Sequence, residues 1–281
     1  MTKSAQTTHA VHTFYKDLAF NYYGDTKAAV QSVQRNPVAV YTDLVTVLEQ
    51  DSTTSILEIG CGAGWAANSI AYHYGKTVKA VDMTSSAVVR ANDVATALGQ
   101  SKQVCIKEMD LFDLKSGPVF DLVYSIGVLH HTYDCREAFA HIANMVRPGG
   151  HLYVGLYHSY GRTVFLEMFA RIIANEGEDA AFAKYRKLNP HLTDETHVWS
   201  WFRDQVLHPH ETQHSLEEVW GWLDTLGFTL SSTSINAFVP TSDRDGLIAQ
   251  EKTMAELSRR RNLIEGTYFP GFFTVMAKRT K

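Results

Sequence analysis

The sequence predicts an α/β protein built on a doubly wound, mostly parallel sheet. Two observations carry that prediction: five apolar, strand-like runs alternate with helical patterns, and a glycine-rich turn joins the first run to the first helix between them. Residues 9–50 place apolar side chains at helical spacing, as in Val38, Tyr41, Leu44, Val45 and Leu48, and predict two or more helices before the first strand. Strands follow near 55–59, 77–81, 104–108, 120–125 and 150–156, each closing on polar or small residues. Helical patterns at 66–74, 86–98 and 136–146 separate them, the last ending at Pro148-Gly149-Gly150. Crossovers in such a sheet are right-handed.

The alternation lapses for about sixty residues after Leu156. GRTVFLEMFARIIAN is a strong amphipathic helix, and residues 189–214 are rich in His, Trp and Pro, so 158–214 is expected to cap the ligand edge of the sheet. The rhythm resumes in HSLEEVWGWLDTLGF, where Ser215 and Glu218 have capping-box spacing and Gly227 closes the helix. Strands near 229–235 and 272–277 complete the pattern around a second insertion, 239–271, whose SRRRN stretch predicts a solvated helix. The implied organisation is an N-terminal helical segment (1–50), a core (51–157), the cap (158–214), and a return to the core (215–281) with its insertion 239–271.

The chain has 281 residues, 45% hydrophobic and 20% charged, with a formal net charge of −4. Such a balance supplies no overall basic field to gather nucleic acid or an anionic membrane. Residues 1–20 lack the apolar core of a signal peptide, and no window has the apolar length of a spanning helix. Three cysteines, Cys61, Cys105 and Cys135, form no disulfide or zinc pattern, so a reducing compartment, the cytoplasm, is expected.

The stretch ILEIGCGAGWAA, 56–67, can be read as GxGxG from Gly60 or as GxGxxA from Gly62. Either way, backbone amides and a helix N-terminus face a ligand that a Cβ would hold away. Glu58 stands two residues before the first glycine, at the end of a strand expected to be buried on both faces. A buried carboxylate needs a partner; it repels a pyrophosphate and attracts an ammonium or sulfonium. Asp82 ends the next strand, where an acid accepts hydrogen bonds from ribose hydroxyls in either type of cofactor site. In MDLFDL, Asp110 is placed to bond an adenine amino group between Met109, Leu111 and Phe112.

Those residues, in that order, resemble the class I S-adenosylmethionine-dependent methyltransferases. ILEIGCGAGW is similar to their first motif, AVDMT to the ribose-binding acid, MDLFDL to the adenine acid, FDLVYSIGVLHH to their fourth strand and VRPGGHLYVG to the turn into their fifth. The resemblance covers roughly 41–157 well and 215–281 loosely. It implies a seven-stranded sheet of order 3-2-1-4-5-7-6 with the seventh strand antiparallel, and S-adenosyl-L-methionine as cofactor. It also implies that Glu58, Gly60, Cys61, Gly62 and Gly64 lie near the methionine part, Asp82 at the ribose, and Met83, Asp110 and Leu111 around the adenine. Ser125, Ile126 and Gly127 would pass beneath the sulfonium end.

Methyl transfer is an in-line displacement, so positioning is the main demand, and a base is needed only where the acceptor must lose a proton. His131, Tyr157 and His158, in loops bordering the ligand edge, are the candidate catalytic residues. Arg162 is a candidate partner for an acidic substrate group, against a surface role; FYKDLAFNYYG resembles the segment that small-molecule members of this family fold over their cofactor, which implies that 1–50 is a helical lid and that Tyr15, Tyr22 or Tyr23 closes the site, against ordinary helix packing. His191, His197, His208, His210 and His214 match no metal-ligand spacing, so no metal is expected; Trp199, Trp201 and Trp220 read as packing anchors of the cap. The expected activity is methyl transfer to an O, N or S atom of a small molecule, without nucleic-acid or membrane partners. An RNA or protein methyltransferase, an NAD(P)-dependent oxidoreductase and a non-catalytic cofactor-binding module are the alternatives.

Overall fold

A computed structural model describes residues 3–115, 117, 119–240 and 242–280. Three helices, α1 (Lys3–Asp17), α2 (Thr26–Gln34) and α3 (Thr42–Leu48), precede β1 (Ile56–Ile59). Then come α4 (Trp65–Tyr74), β2 (Val78–Asp82), α5 (Ser85–Ala97), β3 (Val104–Glu108), β4 (Phe120–Ile126), α6 (Cys135–Ala143) and β5 (Val146–Tyr157). Helices α7 (Ser159–Glu176), α8 (Glu178–Leu188) and α9 (Glu195–Val206) follow, then α10 (Leu216–Thr225) and β6 (Phe228–Thr233). The chain ends through α11 (Arg244–Lys252), α12 (Met254–Arg259), a π-helical turn (Arg260–Glu265) and β7 (Phe272–Arg279).

One sheet runs β3-β2-β1-β4-β5-β7-β6, the expected order, with β7 antiparallel to both its neighbours. Strand alternation sends successive side chains to opposite faces. Leu57, Ile59 and Val123 join the core beneath α6 and α10, while Ile56, Leu122 and Tyr124 join the core beneath α4 and α5. All four residues of β1 are buried, which is why ILEI is continuously apolar except at Glu58.

Several sequence expectations need correction, three of them here. Pro148-Gly149-Gly150 does not stop α6, which ends at Ala143; the tripeptide lies inside β5. The ladder absorbs it by a register shift, Phe120 pairing with Val146 and Leu122 with His151, so Pro148 needs no amide there. The second correction concerns SRRRN, which is solvated only through its arginines. Ser258 and Asn262 are fully buried, the serine hydroxyl donating to the Gly161 carbonyl at 2.7 Å and the Asn262 amide to that of Phe269 at 2.7 Å. The third is Arg162, treated below. Helices α7, α8 and α9 share a small core of their own around Phe165, Phe169, Tyr185 and Phe202, with Trp199 edge-on to Phe182 at 5.0 Å between ring centroids. Ser215 caps α10 by accepting from the Glu218 amide at 3.0 Å. Among the described residues no helix is long and apolar enough to cross a membrane.

Candidate active site

The carboxyl ends of β1, β2 and β4 and the segment after β3 open on one cleft of about 1060 Å³, counting space continuous with solvent. Thr8, Val11 and Tyr15 of α1, with Ala19 and Phe20 just beyond it, also line the cleft. Its floor is the glycine loop. Gly60 and Cys61 donate to the Val81 carbonyl, and Gly62 donates to Asp82 Oδ2 at 2.8 Å. Gly60 has φ +71°, and a Cβ there would fall within the Val128 side chain, so only glycine lets the loop pass.

Of the cofactor residues expected from the sequence, Glu58, Gly60, Cys61, Gly62, Asp82, Met83, Asp110, Leu111 and Gly127 line this cleft. Gly64 and Ser125 do not. Gly64, with φ +78°, starts α4, and a Cβ there would sit 2.6 Å from Ala91 Cβ, so its smallness serves the approach of α4 to α5. Ser125 is fully buried and donates to the Ile59 carbonyl at 3.2 Å, tying β4 to β1.

Glu58 is 5% exposed and its Oε2 is buried without a hydrogen-bond partner, the state expected of a group waiting for a cationic or donor ligand. Burial pushes its carboxyl up from 4.5 to about 8, opposed by the Tyr124 hydroxyl and the Ala67 amide and aided by the Asp82 charge. The folded chain therefore holds a proton that the unfolded chain loses near 4.5. That contribution to stability is complete below about 4.5 and is lost as pH rises toward about 8. Relative to Glu58→Gln, neutral throughout, the melting temperature of the ligand-free wild type should fall between pH 5 and 8, the comparison cancelling the buried histidines that titrate in the same range; parallel slopes in the two proteins would refute the assignment. A cationic ligand should conversely bind more tightly as pH rises through the same range.

Asp82 accepts from Gly62 through Oδ2, and from the Thr84 amide at 3.0 Å and hydroxyl at 2.7 Å through Oδ1. These fix the carboxylate at the strand tip with acceptor capacity left over; burial raises its pKa while the Thr84 bonds lower it. Asp110 Oδ1 accepts from the Phe112 amide at 3.0 Å and so holds the turn that carries Leu111.

His131 also lines the cleft. Its Nδ1 lies 2.9 Å from the His210 carbonyl oxygen, which can only accept, so Nδ1 carries the proton and Nε2 keeps its lone pair. That Nε2 is buried, has no hydrogen-bond partner, and stands 3.9 Å from Asp204 Oδ1. Burial lowers the His131 pKa and Asp204 opposes the shift. Tyr157 lies just behind: it is buried and does not line the cleft, and its hydroxyl donates to Asp204 Oδ2 at 3.1 Å. From α1 the Tyr15 hydroxyl donates to Asp204 Oδ1 at 2.5 Å.

His158 is not brought to the cleft. It caps α7 by accepting from Gly161, and its Nε2 meets Glu251 of α11 at 2.9 Å, which makes it a buried strut between the two insertions. Arg162 is neither on the surface nor open to a substrate: it is fully buried, and all five of its N–H donors are taken. Nε and one terminal nitrogen grip Glu211, and the others reach Gln205 and the Pro270 carbonyl, with the guanidinium 3.7 Å over the Tyr157 ring. Tyr22 and Tyr23 do not close the site either. Tyr22 accepts from Arg90, and Tyr23 stacks on His197 at 3.9 Å, pinning the segment after α1 to the cap. His208 lies on the His131 ring at 3.7 Å, and His210 and His214 bond the Thr132 carbonyl and Glu218.

Sequence reasoning missed Asp204. The only signal was an acid within WFRDQV, a stretch otherwise crowded with aromatic residues.

Residues 57–154 match the model of a methyltransferase domain family. An uncharacterised protein of Synechococcus is 25% identical over 68% of this chain and 49% of its own length. A ubiquinone biosynthesis O-methyltransferase of Rhizobium leguminosarum is 31% identical over 41% of this chain and 45% of its own. This chain therefore spans about half the length of these curated relatives. Among solved structures, magnesium protoporphyrin IX methyltransferase of Synechocystis with bound S-adenosylhomocysteine superimposes with a TM-score of 0.52 at 15% identity, covering 98% of this chain and 95% of that one; the likeness is one of fold.

Proposed function

Because residues 57–154 form a class I, S-adenosylmethionine-dependent methyltransferase domain, we propose that the protein transfers a methyl group to an O, N or S atom of a small molecule in the cytoplasm. The observation that carries the small-molecule reading is the roof over the cleft. Helix α1 and the residues after it cover the ligand edge, and α9 holds them there through Tyr15 to Asp204 and Arg203 to the Phe14 carbonyl. Among the described residues lining the cleft there is no Lys or Arg, which argues against a phosphodiester backbone as partner. The likeness to an O-methyltransferase of ubiquinone biosynthesis supports the same reading.

The residues present fit the cofactor. The unpartnered carboxylate of Glu58 suits its cationic methionine end, Asp82 its ribose hydroxyls, and Asp110 its adenine amino group, with Met83 and Leu111 against the ring. When bound, the cofactor supplies an electrophilic methyl carbon on a sulfonium. The chain then has to align the acceptor, exclude water and, for an acceptor bearing a proton, take that proton at His131 Nε2. Tyr15 and other residues of α1 line the cleft beside it.

Asp82→Ala should weaken S-adenosylhomocysteine binding by more than about tenfold, the loss of charge-assisted bonds to two hydroxyls; an unchanged affinity in calorimetric titration would remove Asp82 from the ribose. The acceptor is found by incubating the protein with methyl-labelled cofactor and a fractionated cell extract. Label in a small molecule supports the proposal. Label in RNA or protein overturns the acceptor class, and cofactor binding without transfer to any fraction favours a non-catalytic module.

A further inference from the structure

We propose that Asp204, an acid of α9 outside the cofactor domain, is the positioning residue of a His131 base, and that Tyr15 of α1 tunes the acid through its hydrogen bond. The inference rests on the methyl-transfer reading above. Asp204 is 4% exposed, and among the described residues no Lys or Arg forms an ion pair with it. A buried carboxylate held only by neutral donors is costly. Its donors are Tyr15, Tyr157 and the Gln205 amide at 2.8 Å, which come from three different elements or their ends and converge on one group.

The cation that this arrangement lacks is the one turnover creates. An acceptor's proton moves to His131 Nε2 as the bond from nucleophile to methyl carbon forms and the carbon–sulfur electron pair stays with sulfur. The imidazolium so formed has Asp204 Oδ1 at 3.9 Å, while the His210 carbonyl keeps its other nitrogen oriented. Tyr15 belongs to the roof, so the acid's shortest hydrogen bond comes from α1, and that donor tempers the carboxylate's pull on the imidazolium. The other groups facing His131 are His130 and His208, with rings at 4.4 and 3.7 Å, and Tyr157, with Glu211 and Arg162 acting through their charges.

The test uses the full chain labelled with ¹⁵N-histidine and saturated with S-adenosylhomocysteine, followed by NMR against pH. In the wild type His131 should carry its proton on Nδ1. Its titration midpoint should fall by about one pH unit in Asp204→Asn and recover in Asp204→Glu, since the conservative change keeps the charge. S-adenosylhomocysteine affinity should stay within about twofold in all three proteins, because Asp204 does not line the cofactor cleft. A proton on Nε2 in the wild type, or an unmoved midpoint in Asp204→Asn, overturns the inference. If Asp204→Asn does not fold, Tyr15→Phe serves: with one donor fewer on the acid the midpoint should rise, and a midpoint equal to the wild type's is equally fatal. Failure of S-adenosylhomocysteine to bind the wild type sinks the methyltransferase reading and this inference with it, whereas binding with an unmoved midpoint sinks the inference alone.

Discussion

Replacing His131 by alanine is expected to lower kcat about 100- to 10,000-fold toward the acceptor identified by label transfer, the range for removal of a positioned general base. S-adenosylhomocysteine affinity should stay within about twofold, since the cofactor contacts assigned above lie elsewhere on the cleft wall. The expectation follows from one nitrogen. Nδ1 is committed to a carbonyl, and Nε2 of this cleft-lining residue keeps a free lone pair. Initial rates at saturating cofactor, beside calorimetry on the same preparation, make the comparison. A kcat within threefold of wild type would mean that positioning alone suffices and that the acceptor arrives without a proton to lose.

Arg162→Met is expected to cost about 3–5 kcal/mol of stability, the penalty for breaking a buried ion pair by removing one partner. For a chain of this size that corresponds to a drop in melting temperature on the order of 10 °C. The charge of Glu211 would be left facing Tyr157 and the other groups that Arg162 now joins. Arg162→Lys should recover little, because three donors on one nitrogen cannot meet Glu211, Gln205 and the Pro270 carbonyl together. Thermal melts at neutral pH decide it. A loss below about 1 kcal/mol in Arg162→Met would show the network to be relaxed and solvated.

What the sequence made legible follows the range of the interactions involved. The alternation of strands and helices and the cofactor wall depend on local features: a buried run, a loop that only glycine can follow, and acids at successive strand tips; the order of the strands came with the family resemblance. Glu58, Asp82 and Asp110 were therefore readable one motif at a time. The acceptor end is assembled across the chain. Tyr15 and Asp204 are 189 residues apart, and neither belongs to a pattern that demands the other. His158 and Arg162 were misread for the same cause. A histidine and an arginine after a strand at the ligand edge look like substrate contacts, until Glu251 and Glu211 arrive from other elements and take their donors. Gly64 and Ser125 fell to a subtler error, since they belong to the motif's neighbourhood but face the packing behind it.

The central claim is that the glycine loop, with Glu58 before it and Asp82 beyond it, holds S-adenosylmethionine. Calorimetric titration of the full chain with S-adenosylhomocysteine and, separately, with NAD and NADP tests it most directly. The structure predicts one saturable site per chain for S-adenosylhomocysteine and no heat of binding from either dinucleotide. Saturable binding of NAD or NADP with none of S-adenosylhomocysteine would contradict it.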